Sequence, residues 1–192
     1  MGQAFIEEET FEKKDFSETR LEKGHYEICV FSNCNFSNSN LSEVQFIECE
    51  FYDCNFSMAN LNQTVFNDVI FKDCKMLGLH FEKSSNFGFS IQVENSQLNH
   101  ASFYGKKMAK SIFRKCKLQE VDFTNSDISG AVFDECDLRN ATFDRSNLQK
   151  TDFRNSYDYT IDPEDNQIKG AKFSLQSVAG LLKKYQIKIE DT

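Results

Sequence analysis

The sequence contains no tryptophan, one proline and three histidines in 192 residues. It has no apolar run of 18 residues, so no segment predicts a membrane-spanning helix. We find no glycine-rich phosphate loop, metal-ligand cluster or nucleophile motif. The sequence therefore predicts a protein that is not an enzyme and needs no cofactor or metal.

Residues 1–10 are acidic and lack the basic and apolar regions of a signal peptide. Gly2 is followed by Ile6 where a myristoylation site has serine or threonine, so we expect no lipid anchor. Together with many free cysteines, this favours a cytoplasmic protein.

Phenylalanine is abundant, with 20 residues, and its spacing is regular. A large apolar residue recurs at every fifth position from Phe11 to Phe81, and again in a new frame from Val93 to Phe153. We call this residue the centre of a five-residue unit. A period of five matches neither a helix nor a long strand. The chain must therefore turn a corner after each centre.

Four such units form a square coil of 20 residues, so residues 20 apart should stack. The columns Phe11, Phe31, Phe51, Phe71 and Phe113, Phe133, Phe153, Phe173 keep their residue type, as stacking requires. The pattern predicts an all-β solenoid of seven to eight coils, spaced by about 4.8 Å.

The residue two positions before each centre is small and should also point inward. All seven cysteines occupy this slot: Cys29, Cys34, Cys49, Cys54, Cys74, Cys116 and Cys136. A metal site or disulfides are the alternative interpretation, but the shared slot favours buried thiols that act as small apolar groups. Lys14 and Lys106 also fall in this slot, so we expect distorted or splayed sides there.

The units Cys34-Asn35-Phe36, Ala59-Asn60-Leu61 and Thr151-Asp152-Phe153 resemble the A-(D/N)-L-x-x consensus of the pentapeptide-repeat family. The resemblance covers residues 4–173. It implies a right-handed quadrilateral β-helix, and the handedness comes from the family alone.

Two regions interrupt the period. Residues 82–97 contain two extra residues, for which a bulge with one phenylalanine refilling the core is favoured over a partner-binding loop. Residues 156–166 form a loop with Pro163. The predicted domains are a solenoid over 1–173 and a capping or dimerisation segment over 174–192.

After Ser174 the apolar residues Leu175, Val178, Leu182 and Tyr185 follow a helical period, which predicts a short C-terminal α-helix. The helix either caps the last coil or forms a homodimer.

The tail, from Ile161 to Ile187, resembles the branch with microcin-immunity and quinolone-resistance (Qnr-type) proteins. That resemblance implies a dimerising helix, a DNA-like rod and binding to type II topoisomerases.

Charge is uneven along the chain. Residues 1–97 hold 7 Lys/Arg and 16 Asp/Glu, net −9, whereas residues 98–192 hold 15 and 14, net +1. Carboxylates predicted to form an acidic ridge are Glu43, Glu48, Glu50, Asp53, Asp68 and Asp73. The ridge is either a solvated face or a phosphate mimic aimed at a basic groove.

The cluster Lys106, Lys107, Lys110, Arg114, Lys115 and Lys117 suggests nucleic-acid binding, but nearby acids and the net charge of −8 argue against direct binding. Exposed Val30, Ile70, Ile112 and Val132 should share one face, as β-formers or as a strip for a partner.

The leading hypothesis is a DNA mimic that engages DNA gyrase or topoisomerase IV and protects it from a quinolone or toxin. The alternative is a scaffolding solenoid with an unrelated protein partner.

Overall fold

The computed structural model describes residues 4–190 as a four-sided parallel β-solenoid. Each pentapeptide forms one side, and the chain returns to the same side after four units. The strands are β1 Ala4–Glu7, β2 Thr10–Glu12, β3 Gly24–Glu27, β4 Val30–Ser32, β5 Gln45–Ile47, β6 Glu50–Tyr52, β7 Val65–Asn67, β8 Val69–Lys72, β9 Ile91–Glu94, β10 Ile112–Arg114 and β11 Val132–Asp134.

Two of the four faces carry sheets. The first face has strands β1-β3-β5-β7, and the second face has β2-β4-β6-β8-β9-β10-β11, all parallel. The third and fourth faces are ladders of single bridges, such as Asn35↔Asn55 and Asn40↔Asn60. The register is 20 residues, for example Phe31↔Phe51, which confirms the predicted stacking.

The interior is a set of stacked rings. Phe31 and Phe51 lie 4.8 Å apart between ring centroids with an interplanar angle of 13°, and Phe36 and Phe56 are 4.5 Å apart. This distance matches the spacing of neighbouring strands. Rings of adjacent sides meet edge to face, as Phe51 and Phe56 do at 83°. The core therefore leaves no room for a ligand along the described coils.

The cysteines line this core between the rings. All seven are free and buried, and Cys49 Sγ lies 3.2 Å from the carbonyl oxygen of Tyr26. Burial raises the pKa of the Cys49 thiol to about 12, so the thiol is unreactive. Among residues 4–190, no three His, Cys, Asp or Glu side chains converge in a way that could hold a metal ion.

The irregular segment within residues 82–97 is a bulge on the first face. A 3₁₀ helix, Phe81–Lys83, precedes it. Phe89 turns back into the core and is buried, whereas Phe87 is 80% exposed. The column of Phe71 continues at Val93, so the expectation that one phenylalanine refills the core is confirmed.

The expected distortion at Lys106 is wrong. Lys106 is 1% exposed, and its backbone keeps the regular bridge pattern. Its Nζ donates hydrogen bonds to the Ser84 and Ser85 carbonyl oxygens at 2.9 and 2.8 Å and to Ser84 Oγ at 2.7 Å. The bulge opens the space that this long side chain fills. Lys14, in contrast, is exposed.

The predicted C-terminal α-helix is also wrong. Residues Val178–Leu181 and Lys183–Tyr185 form two short 3₁₀ helices instead. The segment packs against the last coil. Ser177 Oγ donates a hydrogen bond to the Ser156 carbonyl oxygen at 3.2 Å, and buried Gly180 packs on Tyr159. None of the helices within residues 4–190 is long and apolar enough to cross a bilayer.

Two buried residues of the last coil were not predicted. Tyr159 and Ile161 are 2% and 1% exposed. They replace the regular centres of this coil, where the sequence places Asp158 and Pro163. Tyr159 lies 5.7 Å from both Phe153 and Phe173, between ring centroids.

Candidate protein-binding face

The second face is the longest regular surface of the described chain. Its nine rows, numbered along the chain, are centred on Phe11, Phe31, Phe51, Phe71, Val93, Phe113, Phe133, Phe153 and Phe173. In each row the centre points inward and its two neighbours point outward. A corner residue with positive φ ends most sides and turns the chain onto the next face.

Five of the six predicted ridge carboxylates lie on or beside this face. Glu48 and Asp68 stack at its corner with the first face, and Asp53 and Asp73 stack at its corner with the third face. Glu50 lies between the corners on β6. Stacked like charges are separated by about one strand spacing of 4.8 Å, which destabilises the fold slightly.

Glu43 stands apart from these five. It lies at the corner between the fourth and first faces, separated from Glu48 by the first face. Its Oε1 accepts a hydrogen bond from Lys23 Nζ at 2.8 Å. This bond and the charge of Lys23 lower the pKa of Glu43. The structure therefore does not bring Glu43 together with the other ridge carboxylates.

The five grouped carboxylates carry uncompensated charge. Within residues 4–190, none of them is in an ion pair. Glu50 accepts a hydrogen bond from the Tyr52 hydroxyl at 2.5 Å, which raises the pKa of Tyr52, and Asp73 accepts one from the Asn95 amide. Some other surface acids are paired, as Asp152 is with Arg154; what distinguishes these five is that they are unpaired and grouped on one face.

A shallow depression of about 450 Å³ opens among these acids. Ile28, Glu48, Glu50, Asp68, Ile70 and Gln92 line it. It is an open surface that can accept a protruding side chain, rather than an enclosed pocket. A basic side chain of another molecule is the group that these carboxylates would attract.

The other half of the second face carries both signs of charge, since Glu94, Asp134, Glu135 and Asp152 lie among its lysines and arginines. Lys110 and Lys150 occupy the first-face corner, Arg114 lies on β10, and Lys115 occupies the third-face corner. The predicted basic cluster is therefore dispersed, since Lys106 is buried and Lys107 and Lys117 bridge on the first and third faces. An acidic half and a half of mixed charge therefore share one face, in line with the uneven charge of the sequence.

The four apolar residues Val30, Ile70, Ile112 and Val132 do share this face, as predicted. They lie in one ladder, in which Glu50 and Gln92 separate them. Each is half-buried. The second face thus combines a central apolar strip with charged corners, which is the usual composition of a protein interface.

The predicted dimerisation residues lie at the C-terminal end. Leu175 and Tyr185 are 85% and 52% exposed, whereas Val178 and Leu182 are half-buried. The Tyr185 hydroxyl donates to Glu164 at 2.9 Å, and Lys184 pairs with Asp162 and Glu164 at 2.7 and 2.6 Å. These contacts hold the segment on its own solenoid, and dimerisation through it stays a prediction.

Comparisons with known proteins agree with this architecture. Residues 25–103 and 90–153 match a family model described as a pentapeptide repeat region. A trypsin-treated form of QnrB1, a plasmid-mediated fluoroquinolone resistance protein, is 19% identical with a TM-score of 0.63, and the match covers 100% of each chain. None of the curated proteins compared with the chain matches it.

Two further solved structures are less similar. Another trypsin-treated form of QnrB1 is 21% identical with a TM-score of 0.47, over 96% of this chain and 99% of that one. HetL, a pentapeptide repeat protein involved in heterocyst differentiation regulation in the cyanobacterium Nostoc sp. strain PCC 7120, is 14% identical with a TM-score of 0.40, over 88% and 87%. Only the first QnrB1 match, with its TM-score of 0.63 and 19% identity, shows a similar fold, and it shows the fold alone.

Proposed function

Because this chain belongs to the pentapeptide-repeat family, we propose that it is a non-enzymatic binding protein whose acidic second face occupies the basic DNA-binding groove of a type II topoisomerase. The enzyme is DNA gyrase or topoisomerase IV. Occupancy of the groove protects the enzyme from a quinolone or a toxin. The protein acts as a DNA mimic, without binding nucleic acid itself.

The observation that carries this proposal is the set of unpaired carboxylates Glu48, Glu50, Asp53, Asp68 and Asp73 on one face. Stacked unpaired acids lower stability slightly, so their grouping is better explained by a partner than by folding. A groove that binds DNA presents lysine and arginine to phosphates. Carboxylates on a rigid wall satisfy the same side chains and speed association through long-range attraction.

The alternative function, a scaffold with an unrelated protein partner, has one observation in its favour. Lys110, Arg114 and Lys115 add positive charge to the other half of the same face, beside Asp134 and Glu135. A DNA groove attracts only the acidic half, whereas a partner with mixed charge fits the whole face.

The test is gyrase supercoiling in the presence of a fluoroquinolone, with the protein titrated into the reaction. We expect supercoiling to recover as the protein is added. Inhibition of the enzyme without recovery would retain groove binding but contradict protection. No effect of the folded protein on several gyrases and topoisomerase IV enzymes would favour the scaffold.

Charge reversal tests the ridge itself. We expect a variant with Glu48, Asp53, Asp68 and Asp73 changed to lysine to lose binding to gyrase, measured by surface plasmon resonance and by competition with duplex DNA. The matched control changes Glu7, Glu18, Glu22 and Glu27 to lysine, because these acids lie off the second face and form no ion pair within residues 4–190. Equal binding by both variants would contradict the proposal.

A further inference from the structure

At several positions of the second face, an acid in one half is mirrored by a base in the other half. Its first-face corner presents Glu8, Ile28, Glu48 and Asp68 in rows one to four, and Lys110, Gly130 and Lys150 in rows six to eight. Its third-face corner presents Lys13, Asp53 and Asp73 in rows one, three and four, and Lys115 and Glu135 in rows six and seven. Such a surface is complementary to itself when one copy is turned end for end.

We propose that the second face binds the second face of another copy of this chain, with the two solenoids side by side and antiparallel. The two-fold axis runs parallel to the strands, between β8 and β9. This operation places row one opposite row eight, row two opposite row seven, row three opposite row six, and row four opposite row five. An interface of this kind uses the same patch on both copies.

In this register, opposite charges face each other between rows one and eight, rows three and six, and rows four and five. The facing pairs are Glu8 with Lys150, Glu12 with Arg154, Glu48 with Lys110, Asp53 with Lys115, and Lys72 with Glu94. Tyr52 faces Arg114, which permits a cation–π contact. Each pair occurs twice by symmetry. No two like charges face each other among rows one to eight.

The apolar groups match in the same register. Ile28 is 45% exposed at its corner, and it faces Gly130 of the other copy. Gly130 lacks a side chain, and with Lys110 and Lys150 it borders a depression of about 280 Å³. The isoleucine of one copy can therefore enter the gap beside the glycine of the other. On the flat part of the face, Val30 meets Val132.

Neighbouring arrangements are disfavoured by like charges. An axis through row five places Lys72 opposite Arg114 and Asp53 opposite Glu135. An axis through row four places Glu12 opposite Asp134 and Lys72 opposite its own equivalent. A two-fold axis along the rod would bring Glu48 against Asp53 and Asp68 against Asp73. Charge repulsion thus selects one register and one orientation.

The size of the face predicts a weak dimer. The eight facing rows span about 34 Å and the face is roughly 13 Å wide, so about 450 Å² of flat surface is covered on each copy. The total of about 900 Å² lies at the low end for specific interfaces. Since most facing pairs are charged, association should weaken as salt rises.

The experiment is sedimentation equilibrium of the full chain at low and at high sodium chloride, and it does not depend on the proposed function. We expect self-association at low salt that weakens at high salt. Lys110→Glu with Lys150→Glu converts four attractive contacts into repulsive ones, so we expect the dissociation constant to rise at least about tenfold. A wild-type chain that stays monomeric at low salt would overturn the proposal.

A charge swap makes the test specific for the register. Adding Glu8→Lys and Glu48→Lys to the double variant restores opposite charges across the interface, so we expect dimerisation to return. The matched control is Lys75→Glu with Lys117→Glu, because both lysines lie on the third face and should leave association unchanged. Failure of the swap to restore the dimer, or an equal loss in the control, would also overturn the proposal.

Discussion

At the residue scale, the corners of the solenoid determine which side chains the chain tolerates. Most corner residues have positive φ, between 47° and 76°, and Asn33 and Asn38 at 53° and 55° are typical. Asparagine, aspartate and glycine adopt this conformation readily, whereas a β-branched residue is strained there. Ile28, with φ 54°, is the one β-branched residue with positive φ among residues 4–190. Its presence at an exposed corner costs stability, and the proposed pairing of second faces would give its side chain a contact.

We expect Ile28→Asn to raise the free energy of unfolding by about 1 kcal/mol, because the left-handed strain is relieved. The reverse change at the next corner of the same coil, Asn33→Ile, should lower it by a similar amount. Both are measured by urea denaturation under high salt, where self-association is weakest. A loss of stability in Ile28→Asn would show that its side-chain packing outweighs the strain.

The sequence predicts which residues point inward, but it does not predict which residues have positive φ. The inward positions follow from size alone, so every small slot and centre up to Phe81 could be read directly. The polar residue before the centre has a reason that the structure supplies: Asn35 and Asn55 accept hydrogen bonds from the backbone N–H groups of Ser37 and Ser57, at 3.1 Å each. These bonds support the turn on the third and fourth faces.

At the element scale, the bulge at residues 84–89 depends on one buried lysine. Lys106 Nζ binds two carbonyl oxygens and a hydroxyl of the bulge and lies 4.3 Å from the centroid of the Phe89 ring. Burial lowers the pKa of Lys106 to about 8, although the charge of Glu82 opposes the shift. The lysine thus replaces the backbone ladder that the two extra residues interrupt.

We expect this burial to appear as a pH dependence of stability. Between pH 8 and 10.5, the folded chain has released the Lys106 proton while the unfolded chain still holds it. Stability therefore rises with pH across this window relative to Lys106→Met, by up to about 3 kcal/mol. Taking the difference between the two proteins cancels the contributions of cysteine and tyrosine.

The control for this measurement is Lys107→Met, because Lys107 is the exposed neighbour on the same side. Its stability difference from the wild type should be independent of pH. A flat difference for Lys106→Met as well would mean that Lys106 keeps an ordinary pKa. In that case the hydrogen bonds to Ser84 and Ser85 compensate for burial.

The C-terminal segment shows where periodicity misleads. Leu175, Val178, Leu182 and Tyr185 fit a helical stripe, but an isolated helix of this length is marginal in water. Gly180 adds a weak helix former at its middle. The observed 3₁₀ turns keep the segment in contact with the last coil, where Lys184 forms ion pairs with Asp162 and Glu164. The local pattern predicts an α-helix, but packing against the last coil favours two short 3₁₀ helices.

At the scale of the whole molecule, the solenoid converts distant sequence into one surface. Residues 20 apart become neighbours, so the acids of coils three and four and the lysines of coils six to eight share the second face. The 20-residue repeat predicts the fold and the common face of Glu48, Glu50, Asp53, Asp68 and Asp73, whose binding role stays a prediction. Glu43 lies one side earlier in its coil, at the corner between the fourth and first faces. The mirrored charges depend on the register of all the coils, which a linear sequence does not display.

Two modes of dimerisation can be separated by molecular shape. Nine rows of strands make a rod about 38 Å long at the interstrand spacing. Dimerisation through Leu175, Val178, Leu182 and Tyr185 joins rods end to end and roughly doubles the longest dimension. The antiparallel pairing of second faces places them side by side and leaves the length almost unchanged.

Small-angle X-ray scattering at low salt distinguishes these shapes, and we expect the side-by-side dimer. Its maximum dimension should stay close to that of the monomer while the mass doubles. The double variant Val178→Asp with Leu182→Asp should leave this dimer intact, whereas Lys110→Glu with Lys150→Glu should remove it. A particle of twice the monomer length, lost in the first variant and kept in the second, would assign dimerisation to the C-terminal residues and leave the second face free for a topoisomerase.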